Sequence, residues 1–312
     1  MTEEQIKVII ERVLNSINES DDSDSKVSKK CDSKKQNLLT DKANKEKTKQ
    51  GTNSKEEDDV IPDIREDDYR SYLGIENPAN GEEFIRIKKK TDARMGLGRS
   101  GPRYKTSAYL RMLVDHAGAY DAALSEAPED IAKDNNMFFT QTLCSDKDEY
   151  LSRPDLGRLF SDEMKKKIAD NCTKNVDVQI ILSEGLSSTA MEYNTNDLFP
   201  ALQQGLKIEG LSSGTPIYVK YARVPAMDVI TEILSPKVTI MLIGERPGLS
   251  TYASMSAYMA YKGKVGMSES GRNVISNIHE NGINPAEAGA HLASVAKKMI
   301  DQKVSGTDFR MV

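Results

Sequence analysis

The chain has 312 residues, 38% of them hydrophobic, with a net charge of -5 and an isoelectric point near 5.5. That apolar content suffices to bury the core of one large or two small domains, and the acidic balance gives no electrostatic reason for a phosphate-backbone partner, so nucleic acid is disfavoured as a ligand. No run reaches the roughly 18 apolar residues of a membrane span, and the N-terminus carries Glu3 and Glu4 in place of a basic leader, so the expectation is residence in the cytosol or a body within it, without a membrane partner.

Thr2-Glu3-Glu4-Gln5 is a capping box, in which Thr2 accepts from a free backbone N–H and Gln5 reaches back. Ile6, Ile9, Ile10, Val13, Leu14 and Ile17 follow at helical spacing opposite Glu4, Lys7, Glu11 and Arg12. Residues 1–18 are therefore expected to form an amphipathic helix whose apolar face needs a partner. From Asn18 to about Asp59 the sequence is almost all Ser, Asp, Lys, Asn, Gln and Glu. Residues 19–59 cannot offset their ordering entropy and are expected to be a disordered linker, which also explains a mean hydropathy of -0.55. A core helix is rarely parted from its core by so long a solvated segment, so 1–18 reads as a docking or targeting helix.

Globular sequence begins near Val60-Ile61-Pro62, and residues 60–175 read as mostly helical. Gly96, Gly98 and Gly101 match G-x-G-x-x-G, but no β-branched strand precedes them and Pro102 follows at once, which disfavours a dinucleotide site. Tyr109, Leu110, Leu113 and Val114 form a helical face expected to end near Gly118, and Phe160, Met164, Ile168 and Ala169 form another. Between them Tyr150-Leu151-Ser152-Arg153-Pro154-Asp155-Leu156-Gly157-Arg158 is a tight loop entering the second helix. Cys31, Cys144 and Cys172 are widely spaced, which suits structural thiols in a reducing compartment.

Residues 176–312 change period. Val178 to Leu182, Ile217 to Tyr221 and Val238 to Ile243 are short apolar runs, separated by helical stretches from Asp197 to Glu209 and from Met227 to Leu234. Continuously apolar strands alternating with helices imply parallel strands buried on both faces. The fold class is α/β, a Rossmann-like parallel sheet flanked by helices, preceded by the mostly helical region and the disordered linker. A last helix runs from Pro285 to about Lys303, with Pro285 at the first position.

Ligands of open parallel sheets bind beyond the carboxyl ends of the strands. Those loops are Ser183 to Thr189, Ala222-Arg223-Val224, and Gly244-Glu245-Arg246-Pro247-Gly248-Leu249. Gly244 and Gly248 permit close backbone approach, and Pro247 stiffens the turn that aims Glu245 and Arg246. The plainer alternatives stay open: a Glu245–Arg246 ion pair closing an ordinary loop, and Ser187, Ser188 and Thr189 capping the next helix. His116, His279 and His291 form no metal-ligand pattern, and no nucleophile elbow, Walker loop or H-E-x-x-H is present, so a self-contained active site is not expected. A stand-alone nucleotide-binding enzyme and a non-catalytic scaffold are the competing readings, since a fold of this class does not fix function.

Gly98 to Arg103, Tyr150 to Arg158, Glu184-Gly185-Leu186-Ser187, Gly244 to Leu249, Val274-Ile275-Ser276-Asn277-Ile278-His279 and Gln302 to Gly306 occur together and in order. In combination they resemble the ethanolamine ammonia-lyase light chain. The resemblance implies deamination of ethanolamine to acetaldehyde and ammonia with adenosylcobalamin, on a complex whose large subunit supplies most substrate contacts; catalytic residues are expected mainly there, and no metal ligand is expected on this chain. The small subunit of that family helps enclose the cofactor at the subunit interface. Carried over by position, its cobalamin contacts fall on Val224, Glu245 and Val274. At 274 some relatives carry Cys, so Val274 must act by backbone or packing. His116 lies outside any D-x-H-x-x-G motif, in keeping with a base-on cofactor. The N-terminal helix and linker resemble the extension by which some members enter the ethanolamine-utilisation microcompartment of the bacterial cytoplasm, docking on a shell or core protein.

Overall fold

The computed structural model describes residue 64 and residues 68–91, 93–128 and 130–311. The expected helix at 1–18 and linker at 19–59 lie outside the described residues. In chain order come α1 (Gly81–Lys88), β1 (Arg99–Ser100), β2 (Arg103–Tyr104), α2 (Thr106–Leu124), α3 (Asp130–Asp134), β3 (Phe138–Gln141), α4 (Lys147–Ser152) and α5 (Asp162–Asn171). They are followed by β4 (Val178–Ser183), α6 (Ser188–Ile208), β5 (Ile217–Lys220), α7 (Ala226–Leu234), β6 (Val238–Gly244), β7 (Met255–Tyr261), β8 (Asn273–Ile278) and α8 (Pro285–Gln302).

Six strands form one sheet in the order β3-β5-β4-β6-β7-β8. The first four run parallel, whereas β7 and β8 are antiparallel to their neighbours. The fold is α/β as expected, and the sheet is mixed instead of purely parallel. The cause is the connection 245–254, which carries no helix; a parallel crossover needs a dozen or more residues, so the chain can only turn back. Backbone bonds from Glu245 N to Ser254 O and from Gly248 N to Thr251 O, both 2.9 Å, close that reversal.

The three apolar runs become β4, β5 and β6 because their alternate residues feed two different cores. Val178, Ile180 and Leu182 of β4 and Val238, Ile240 and Leu242 of β6 join one core, which α6 and α8 cover with Met191, Leu198, Leu202, Leu292, Val295 and Met299. Ile181, Val219, Met241 and Ile243 point the other way, onto Ile168 of α5 and Met227, Ile230 and Leu234 of α7. Coverage of the two faces is unequal. Met255, Ala257 and Met259 of β7 and Ile278 of β8 are buried in the first core, whereas the second takes only Ala260 from β7 as a buried residue and none from β8.

Several elements depart from expectation for local reasons. α6 begins at Ser188, well before Asp197, because its first turns bury polar side chains that carry no apolar period: Asn194 donates to Ala190 O at 2.8 Å and to Ala253 O at 2.7 Å. α2 continues past Gly118 to Leu124, and its buried positions are Ala108 and Ala122, so Tyr109, Leu110 and Leu113 face outward. α5 begins at Asp162, capped by Ser161, after a 3-10 turn at Leu156–Arg158. The glycine loop serves a backbone crossing: Gly74 N donates to Gly96 O at 2.7 Å, and a Cβ on Gly98 would lie 2.4 Å from Gly74 O.

Candidate functional site

The loops after β4 and β6 are locked into each other. A Cβ on Gly244 would lie 2.2 Å from Glu184 O, and one on Gly185, which has φ +52, would lie 2.3 Å from Gly244 O. Ser187 caps α6 by accepting from Ala190 N at 3.2 Å, and Thr189 donates to Tyr252 O at 3.0 Å, so the capping alternative holds for this serine-rich loop. Glu184 is buried and accepts from Tyr221 N and Tyr218 Oη, both at 2.8 Å. Burial holds its carboxyl above the usual range, against the pull of those two donors. The first loop is thus filled by the protein's own bonds.

After β5 the chain is clamped from below. Arg223 N donates to Gly157 O at 2.7 Å, its guanidinium lies 4.2 Å from the centre of the Tyr150 ring, and Nη2 donates to Tyr150 O at 2.8 Å. This is the structural use of the Tyr150–Arg158 segment. Val224 follows, half-buried against the second core, with Met227 N donating to its carbonyl at 3.1 Å as α7 begins.

Glu245 does not pair with Arg246. Its Oε1 accepts from Tyr258 Oη at 3.0 Å, and Arg246 is exposed with no ion pair among the described residues. Burial and the neighbouring carboxylate push the Tyr258 phenol up to about 12, so it is a fixed donor at neutral pH. Tyr258 also stands opposite Val274 in the β7–β8 ladder, and directly opposed residues share a face of the sheet. Val274 is 47% exposed there, beside the exposed Ser276. On the same face the buried Ser256 Oγ has no hydrogen-bond partner among the described residues.

Tyr258 therefore links Glu245 and Val274 on the second face of the sheet, and Val224 borders the core that α5 and α7 cover on that face. The sequence reading missed Tyr258; the only signal was its place in the alternation of Ser256, Tyr258 and Ala260. Glu245, Tyr258 and Val274 make an open ledge on the β7–β8 side of that face, beyond the core that α5 and α7 cover. It offers exposed apolar surface and one oriented acceptor, and no nucleophile–base pair. Open clefts lie elsewhere. One of about 940 Å³ beside α2 is lined by Asp115, which is already engaged by Arg94 and Arg111, and one of about 590 Å³ lies between Tyr193 and His279. His279 is a packing residue, buried with Nε2 2.8 Å from Asn277 Oδ1.

Cys144 and Cys172 are buried and free, and burial raises the Cys172 thiol to about 11, which makes it inert. No helix among the described residues is long and apolar enough to cross a membrane.

Residues 81–310 match the family model described as ethanolamine ammonia-lyase light chain. The chain is 51% identical over 255 residues to the ethanolamine ammonia-lyase small subunit of Clostridium perfringens, covering 82% of this chain and 86% of the relative. It is 49% identical over 264 residues to the protein of the same name from Fusobacterium nucleatum subsp. nucleatum, covering 85% and 90%, and 51% identical over 250 residues to that of Clostridioides difficile, covering 80% and 85%. Matches of this extent leave the reading as a stand-alone nucleotide-binding enzyme without support, and the chain belongs to the ethanolamine ammonia-lyase light chain family, subunits of a carbon–nitrogen lyase.

Proposed function

We propose that this chain is the small subunit of an adenosylcobalamin-dependent ethanolamine ammonia-lyase, and that its open ledge is one wall of a cofactor site completed by the large subunit. The observation that carries this reading is the convergence of Glu245, Tyr258 and Val274 on the uncovered half of the sheet. The residues suit the group. A corrin edge alternates alkyl surface with amide arms, and the ledge sets the apolar Val274 on the same face as a carboxylate held in place by a phenol that stays protonated, with the apolar Val224 at the end of β5 bordering that face. Glu245 Oε2 accepts an amide N–H while Oε1 stays with Tyr258, Val274 gives apolar contact, and Val224 gives apolar or backbone contact. The bound cofactor supplies the radical that makes ethanolamine reactive toward loss of ammonia and formation of acetaldehyde. This chain contributes grip, orientation and water exclusion, and the large subunit contributes the groups that touch substrate.

All three contacts fall within 176–312, which we take as the cofactor-facing region behind a helical region at 60–175. Residues 1–18 are assigned to docking on a shell or core protein of an ethanolamine-utilisation microcompartment in the bacterial cytoplasm, tethered by 19–59. Deleting Met1 to Asn18 is expected to leave lyase turnover of the assembled complex intact and to abolish encapsulation. Equal encapsulation of the truncated and full chains would remove that assignment.

The test of the main reading is reconstitution with a large subunit followed by titration with adenosylcobalamin, reading both the cobalamin spectrum and acetaldehyde release. Turnover and spectral change that require this chain are expected. A large subunit that binds the cofactor and turns over equally well alone would leave only a scaffold role.

A further inference from the structure

Val224 and Val274 sit on different chain segments, and a buried ion pair joins the elements that carry them. Asp228 lies in the first turn of α7, four positions after Val224 and joined to it by the backbone bonds Met227 N to Val224 O and Asp228 N to Pro225 O, both 3.1 Å. Arg272 immediately precedes β8, two positions before Val274. Arg272 Nη2 donates to Asp228 Oδ2, and the two side chains are only 1% and 3% exposed. Glu269 Oε2 lies 2.8 Å from Arg272 Nη1.

Fold stability alone does not account for this pair. Taking two charges out of water costs several kcal/mol per ion, and apolar replacements of similar volume are often as stable or more so. The pair is also incompletely satisfied: Asp228 Oδ1 and Arg272 Nε have no hydrogen-bond partner among the described residues. Strand β8 explains why a costly directional link would be kept. It is the edge strand, its register with β7 shifts between Met255 and Ala257, and no buried residue of β8 joins the core on this face. Apolar packing therefore does not define how far β8 stands from α7. Close by, the 262–272 connection meets α7 through an exposed bond from Val265 N to Glu232 Oε1 at 2.9 Å and through Met267, which is only partly buried against the second core.

We infer that Asp228 and Arg272 are positioning residues for the cofactor: their bridge sets the distance between the Val224 wall and the Val274 wall of the ledge. The inference rests on the cofactor reading of that ledge. Neither residue touches the cofactor; each acts through the segment it anchors.

The experiment uses full-length chain assembled with the large subunit and adenosylcobalamin as probe, with binding followed by its visible spectrum and turnover measured at saturating cofactor. The variants are Asp228→Asn, the paired replacement Asp228→Leu with Arg272→Met, and Glu245→Gln as a marker of the ledge itself. The expected result for the paired replacement is unchanged or higher thermal stability, unchanged co-purification with the large subunit, cofactor affinity lowered on the order of tenfold, and turnover at saturation within about twofold of the parent. Asp228→Asn, which keeps shape, is expected to lower affinity in the same way and serves if the paired variant does not fold. A purely structural pair would change stability or assembly and leave the affinity of the assembled complex alone, and that result overturns the inference. If Glu245→Gln weakens binding while both pair variants bind normally, the positioning role falls and the ledge stands. If Glu245→Gln also binds normally, the ledge reading falls and takes the inference with it.

Discussion

The two faces of the sheet use the same strands for different ends. On one, α6 and α8 seal β4, β6, β7 and β8 under a continuous apolar layer that includes Leu202, Ile240 and Leu292, all fully buried. On the other, α5 and α7 stop short, and β8 turns Val274 and Ser276 outward. The sealed face accounts for stability. The less covered half-face is where a second molecule has something to cover, and it carries Glu245 and Val274, while Val224 borders the α7-covered half of the same face.

That contrast breaks hardest on the sealed side. Leu202→Ala removes a fully buried side chain between α6 and the sheet and is expected to cost about 3 kcal/mol in urea unfolding, with cofactor affinity of the assembled complex unchanged. On the bare side the expectation inverts. Glu245→Gln should weaken apparent adenosylcobalamin affinity by about 1 to 3 kcal/mol while thermal stability and assembly stay as they are, since only the charge of an acceptor on Tyr258 and the ligand is lost.

A smaller effect belongs to the amino ends of the central strands β4 and β6, where Asp177 accepts from Ser212 N at 2.9 Å and Ser212 Oγ at 2.7 Å and pairs with Lys237 Nζ at 2.7 Å. These donors pull its carboxyl down to about 2. A depressed folded-state value contributes stability above the unfolded value near 4, and that stability disappears as the pH falls towards 2. Asp177→Asn should therefore remove about 1 to 2 kcal/mol at neutral pH and nothing near pH 2, measured as denaturation midpoints against pH. The smallest stability change is expected for Val274→Asp. An exposed edge position should move stability by less than about 0.5 kcal/mol, yet the added charge facing a corrin should abolish detectable cofactor binding.

Asp228 gives the same contrast a pH signature. Burial raises its carboxyl to about 6, with Arg272 opposing and Glu269 and Glu232 adding to the rise. A raised folded-state value means that its contribution to stability is present below the unfolded value and is lost as the pH rises through about 6. Cofactor affinity should move the other way, falling as the pH drops through that range and the bridge loses its charge, and Asp228→Asn should flatten the dependence.

The strands buried on both faces were legible because Val178 to Leu182, Ile217 to Tyr221 and Val238 to Ile243 are nearly all apolar, which is what parallel central strands require. Strand β7 was not, because Met255-Ser256-Ala257-Tyr258-Met259-Ala260-Tyr261 holds no β-branched residue and its small side chains give no alternation strong enough to read. The outward face of α2 misled for a related reason: periodicity in Tyr109, Leu110 and Leu113 marks one side of a helix without saying whether that side meets the core. Val224 and Glu245 were singled out as candidates through their strand-end loops, and all three of Val224, Glu245 and Val274 through resemblance. Tyr258 and the Asp228–Arg272 bridge left no trace, since contacts between residues that distant in sequence exist only once the sheet has formed.

The most direct measurement is an electron-density or cryo-electron-microscopy map of the assembled complex with adenosylcobalamin. The account predicts corrin density against Val274, with an amide arm within hydrogen-bond distance of the Glu245 carboxylate and the large subunit enclosing the opposite side. A ledge filled by side chains of the large subunit, with the cofactor lodged away from β7 and β8, would contradict it.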